Sequence, residues 1–391
     1  MKFTKLSLIT ALAMSSAFAG GEVTEIATVE VAVVPATTVA GNITGYYITN
    51  DSKANADMFS QEASQLGLAT TLDVAHKLTD NITLNFSTVG YVNAFDQADQ
   101  TDVFGNGTGT GYFENNKRGA FFNVANVTFT YEDTTFVAGR QLLATPMLGG
   151  FDWLLAPGAF EAYTVVNNSV ENVTLVGSYV TKWRPNNTGE NFLNLTDIDD
   201  GNNFALGAVY DDKLINGSLW YYNVDAGLAA TGIDKYTQVY LDAGYNFGMA
   251  KVEAQYVATD YDTATDATAY GLKVSGEVSG FNLYAAYNAI QDNNTGFVGA
   301  DSLYTSSWNT FASSTYREDV DAFKVGVSTT ISGVDAELSY ADYDEGNEAD
   351  LILGYALTDT VNAGLIYSST TKNKKNADAD NAVEVFATYT F

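Results

Sequence analysis

The chain has no cysteine, one histidine, four prolines and only 18 basic residues in 391. Each shortage excludes something. Without cysteine there is no disulfide framework and no thiolate nucleophile or metal ligand. With His76 as the one imidazole, the usual zinc sets and Ser–His or Cys–His pairs are nearly out of reach. Set against 47 acidic residues, the few basic ones leave a net charge of −29. That charge argues against nucleic-acid binding and for the attraction of cations. Beyond the amino-terminal region, no run reaches the roughly 18 consecutive apolar residues that a membrane-crossing helix needs. Acidity does not make this a disordered chain, because 25 Tyr, 22 Phe and abundant Val, Leu and Ile offer ample apolar surface to bury.

What is present begins with an export signal. Residues 1–19 combine a basic start (Lys2, Lys5), a short apolar run and an Ala17-Phe18-Ala19 cleavage site. Removing those two lysines takes the net charge from −29 to −31. Residues 20–38 read as a periplasmic leader whose apolar alternation (Val29, Val31, Val33) stops at Pro35. Residues 39–391 read as one β domain.

The last eleven residues show the pattern best. Val383, Val385, Ala387, Tyr389 and Phe391 fall on one parity; Glu384, Thr388 and Thr390 fall on the other, with Phe386 as the exception. A period of two is a strand with one apolar and one polar face. A strand of this kind ending on an aromatic residue suits an outer-membrane β-barrel, with the apolar face to lipid and the polar face to the lumen. Taken alone it would equally suit a soluble sandwich. The rest of the chain favours the barrel. Strand-like segments come in pairs: 66–77 with 82–93, 121–131 with 135–143, 160–167 with 173–184, 204–210 with 215–225, 236–245 with 252–261, 270–276 with 281–290, 322–330 with 334–343 and 351–357 with 361–368. Short turns join the members of each pair, and long polar stretches such as 97–117, 185–202 and 291–321 separate the pairs. With 39–48 and 382–391 this makes about eighteen strands in an all-β, antiparallel transmembrane barrel.

Three stretches carry a family resemblance. Ala138-Gly139-Arg140-Gln141 leads to Thr145-Pro146. Ala156-Pro157-Gly158-Ala159-Phe160-Glu161-Ala162-Tyr163 follows, and then Val176 to Arg184, ending Lys182-Trp183-Arg184. Together these resemble the OprD-like porins, and most of all the major outer-membrane porins of the Campylobacter and Arcobacter kind. The resemblance implies a homotrimeric barrel of eighteen strands in the outer membrane of a Gram-negative bacterium, with the third external loop (residues 146–159) folded into the lumen. It also implies the usual company of such barrels: lipid, lipopolysaccharide and the barrel assembly machinery. Two departures matter. Gly158 stands where the family carries Asn, and the loop offers Asp152 as its one charge.

A porin needs charged groups at its narrowest point rather than reactive ones. The candidates are Asp152 and Glu161, facing Arg140, Lys182 and Arg184. An equally good reading pairs Arg140 with Glu161 as a structural tie. Trp153, Leu154, Leu155 and Pro157 read as loop anchors, and Tyr389 with Phe391 as the carboxy-terminal signature. The expected function is passive diffusion of small hydrophilic solutes and ions with a preference for cations. The alternative is a substrate-specific channel for amino acids or small carboxylates. A barrel enzyme would need a nucleophile beside a base, and His76 sits on the apolar parity with Leu72 and Val74. No cofactor is expected. The clusters Asp197/Asp199/Asp200, Asp260/Asp262/Asp266 and Asp342/Asp344/Glu345/Glu348 are spaced so that loop-bound Ca²⁺ is conceivable, though a solvated acidic rim explains them as well.

Overall fold

A computed structural model describes residues 36–51, 57–60, 63–94, 113–114, 118–194, 202–225, 235–312, 319–344, 346–371 and 379–391. The expected signal and nearly all of the leader lie outside these residues, as do Asp197, Asp199, Asp200 and Glu345. The described residues form strands and no helix: β1 (Thr37–Asn50), β2 (Ser64–Lys77), β3 (Ile82–Asn93), β4 (Arg118–Tyr131), β5 (Thr134–Gln141), β6 (Ala159–Val170), β7 (Val173–Arg184), β8 (Leu193–Asn194), β9 (Asn203–Asp211), β10 (Ile215–Val224), β11 (Tyr236–Asn246), β12 (Ala250–Tyr261), β13 (Ala267–Val278), β14 (Phe281–Gln291), β15 (Val320–Ile331), β16 (Val334–Asp342), β17 (Asn347–Ala356), β18 (Val361–Thr371) and β19 (Asp380–Thr390). β8 is a two-residue stub on β7. The other eighteen pair antiparallel, each with its chain neighbours, and β1 pairs with β19 to close the barrel. Closure removes the unpaired edges that would be untenable in lipid.

Alternation sorts the side chains as expected. On β19 Val385 and Tyr389 are exposed on the outside, as is Phe391 just after it, and Glu384 is buried within. Phe386 stays on the inner face because it stacks on Tyr46, ring centroids 5.4 Å apart at 16°. Gly364 makes room for it, since a Cβ there would lie 2.2 Å from the Phe386 ring. The seam is sealed by paired bonds between Gly41 and Phe391, both N–H···O at 3.0 Å.

The short rim owes its tightness to turn chemistry. Ser279-Gly280 (φ 53° and 83°) and Ser332-Gly333 (52° and 84°) hold both central residues in the left-handed region, as a type I′ hairpin needs. The turn between β6 and β7 falls at Glu171-Asn172, so that β6 runs past the expected end at 167, and Asn172 takes φ 59°. Asn is among the few residues that tolerate this.

One departure from the expected pattern affects the site. The β6–β7 register shifts between Glu161↔Lys182 and Ala162↔Val180, leaving Thr181 as an extra residue. The bulge reverses the parity above it. Unbroken alternation from exposed Leu175 and Tyr179 would put Trp183 on the lipid side; instead it packs inward against the buried cluster of Leu148, Phe160 and Val298.

Two long loops enter the lumen. The third (residues 142–158) puts Leu143, Met147 and Leu148 into a cluster with Phe160, Trp220, Tyr222 and Tyr236. It then puts Leu154, Leu155 and Ala156 into a second cluster with Tyr46, Tyr91 and Phe121. As a plain connection between hairpins the polar stretch 291–321 would lie outside, but its described first part, the seventh loop (residues 292–312), does not. Instead it pairs with the third, Leu148 bridging Val298 with Gly149 N–H on Val298 O at 3.0 Å.

Candidate pore constriction

Loop 7 is tied to the wall strand by strand. Gln255 on β12 accepts the Tyr304 N–H (2.9 Å) and Asn288 on β14 accepts Thr305 N–H (3.1 Å). Lys324 on β15 donates to Ser306 O (2.7 Å). Glu348 on β17 accepts Asn309 N–H (2.6 Å) and the Thr310 hydroxyl (2.5 Å). In each case a polar residue on the lumen parity of its strand meets a loop backbone that would otherwise lack partners.

Loop 3 and loop 7 share one further anchor. Glu384 is 1% exposed and accepts the indole N–H of Trp153 (3.1 Å), the indole N–H of Trp308 (2.9 Å) and the Tyr46 hydroxyl. One carboxylate on the terminal strand thus holds both loops.

Beside the loops lies a cavity of about 590 Å³. Its charged lining is Asp152, Asp301, Asp335, Glu337 and Asp350 against Lys273 and Lys324. Asp152, Trp153, Leu154, Leu155 and Pro157 all line it. Leu154 adopts φ 61°, which turns the loop so that Leu154 and Leu155 both enter the Tyr46 cluster.

The other expected constriction residues lie elsewhere. Arg140, Glu161 and Lys182 do come together, with Arg140 Nε and Lys182 Nζ each 2.9 Å from a Glu161 oxygen. By strand alternation they share the face of exposed Phe136 and Tyr163, and none of them lines this cavity. Their arrangement is that of a structural tie on the wall. Arg184 is fully buried at the external end of β7. It reaches Glu114 on loop 2 (3.0 Å), Asn123 on β4 (3.0 Å) and Pro157 O on loop 3 (3.0 Å), beneath the Phe121 ring. Burial pushes the Glu114 carboxyl up, while Arg184 and the Gly189 N–H pull it back down. Arg184 joins loops rather than facing solutes.

The basic groups that do face the cavity, Lys273 and Lys324, were missed in sequence. So were Glu337, Asp350 and Glu384. The available signal was parity: Glu337 alternates with exposed Leu338, Lys324 with Phe323 and Val325, Lys273 with Leu272 and Val274, and Glu384 with Val385, whereas Asp350 has no exposed apolar neighbour. The Asp342 to Glu348 cluster does not act as one unit, because Glu348 turns inward onto loop 7. Among the described residues no three carboxylate or histidine groups converge as a metal site. His76 lies near the short rim, its Nδ1 2.7 Å from the Thr37 hydroxyl.

No family model matches the chain, and no curated protein matches it by sequence. Solved structures do match. The outer membrane protein opdK from Pseudomonas aeruginosa superposes with a TM-score of 0.73 at 13% identity, over 91% of this chain and 98% of that one. OccAB4 from Acinetobacter baumannii gives 0.71 at 16%, over 91% and 98%. Pseudomonas aeruginosa OccK8 (OprE) gives 0.70 at 14%, also over 91% and 98%. The chain has the closed eighteen-strand antiparallel fold of the OprD/Occ outer-membrane porins.

Proposed function

We propose that this protein is an outer-membrane porin of a Gram-negative bacterium, open to small hydrophilic solutes and ions and preferring cations. One observation carries the reading. The lumen beside loops 3 and 7 is lined by five acidic side chains and two lysines. Rings of carboxylates select cations by concentrating them and repelling anions. Eighteen strands enclose more space than wall side chains alone can fill, and the two loops narrow that space without filling it. The alternative, a channel for a narrow solute class, draws support from the same loops, since a two-loop constriction gives more surface for recognition than one. Kinship with the Campylobacter and Arcobacter kind rests on the stretch 138–184, and assembly as a homotrimer on that kinship. Lipid, lipopolysaccharide and the barrel assembly machinery would be its partners there.

In a planar bilayer under a KCl gradient, we expect ohmic single-channel steps with a reversal potential on the cation side. A reversal potential on the anion side would overturn the cation preference, and a folded barrel without conductance would overturn the porin reading. In detergent the particle should weigh three chains; a particle of one chain would remove the trimer.

A further inference from the structure

We propose that the cavity beside loops 3 and 7 is a binding site for small organic cations, alkyl-ammonium ions above all. The proposal deepens the diffusion reading and rests on it. Its first support is an unsatisfied acceptor. Asp350 is 2% exposed and its Oδ2 accepts the Trp308 backbone N–H at 3.3 Å; among the described residues its buried Oδ1 meets no donor, and the group it interacts with is another acid, Glu348. A buried carboxylate oxygen without a donor is costly, and the one here belongs to a residue lining the cavity. Glu337, on the adjacent strand, lines the same space and, among the described residues, takes a long bond from the Tyr284 hydroxyl, 3.3 Å.

The second support is the kind of wall that completes the site. Tyr46, Trp153, Tyr304, Trp308, Phe311 and Phe386 line the cavity together with the acids. Aromatic faces attract ammonium groups and also shelter the carbon body of the solute. A hydrated inorganic ion gains from the carboxylates and little from the rings; an alkyl-ammonium gains from both. Carboxylate solutes are disfavoured because both lysines are already engaged. Lys324 donates to Ser306 O, and Lys273 sits 3.8 Å from Glu253 with its ammonium toward the Tyr284 and Tyr304 rings. The volume of about 590 Å³ lies within the range of small-molecule sites.

The test is single-channel recording in KCl with 1,4-diaminobutane or, separately, malonate added to one side. The diamine should produce resolved interruptions of the open current and malonate should not. Asp350→Asn and Glu337→Gln should each shorten the interruptions by at least about tenfold, what one charge-assisted hydrogen bond is worth. Each variant is first shown to conduct in KCl alone, and two variants on separate strands guard against one failing to fold. Diamine interruptions as rare as those from malonate in a conducting channel would overturn the organic-cation site while leaving the porin reading intact. Interruptions by malonate instead would point to the carboxylate channel. Interruptions unchanged in both variants would place the diamine elsewhere and overturn the site. A folded protein that conducts nothing would remove the porin reading, and this proposal with it.

Discussion

Glu384 does at the residue scale what no loop residue does alone. Its two oxygens take donors from Tyr46 on β1, Trp153 on loop 3 and Trp308 on loop 7. Hydrogen bonds to a charged acceptor contribute about 1.5–3 kcal/mol each, and donors left buried without one cost a similar amount. Glu384→Gln keeps the shape but turns one acceptor into a donor facing indole N–H groups. We expect that variant to fold, to conduct more than the native channel and to show a noisier open current. An unchanged conductance would mean that the buried clusters of loop 3 hold the constriction unaided. The residue was visible in the sequence as a polar member of the terminal strand, but its two tryptophan partners lie 231 and 76 positions away. Alternation says which way a side chain points and nothing about what reaches it.

At the scale of elements, the strands and turns were legible and the landing of the loops was not. Strand pairing follows from local periodicity and turn residues, and the expected hairpins appear with ends moved by a few residues. The exceptions have physical causes. The extra residue at Thr181 reverses parity, so Trp183 turns inward and Lys182 falls opposite Glu161. Loop 7 enters the lumen through bonds to residues on seven strands, each a polar side chain that sequence alone leaves looking like part of a wet wall. This gives a second expectation. Removing residues 294–311 should leave a barrel that still migrates as a compact, heat-modifiable species, because no wall strand is touched. Its conductance should rise well above native, and loop 3 should become accessible to protease. A barrel that fails to fold without the segment would make loop 7 a structural core element instead of a constriction.

For the whole molecule, the charge balance and the fold point the same way. The sequence shows an excess of acids but cannot say where they sit; the structure places five of them on one cavity and turns Arg140 and Arg184 to structural uses. That division explains why the resemblance over 138–184 led to the wall, the loop anchors and Asp152 but to none of the other charged groups of the lumen. Those motif residues hold loop 3 in place and give the cavity one charge, Asp152, while its other charged groups come from β13, β15, β16 and β17 and from loop 7, which carry no motif. The cation-side reversal potential expected above follows from this distribution rather than from net charge, since exposed acids on the rim are screened within about 8 Å at physiological salt.

The bridge between Leu148 and Val298 has a mechanical side. Loop 3 is embedded at one end among residues of β6, β10 and β11 and at the other among residues of β1 to β4. Loop 7, clamped to β12, β14, β15 and β17, is fastened to its middle. An empty cylinder yields readily to squeezing across its diameter. This one carries a cross-brace, so that stretching or thickening of the surrounding bilayer should tilt the barrel before it flattens the opening.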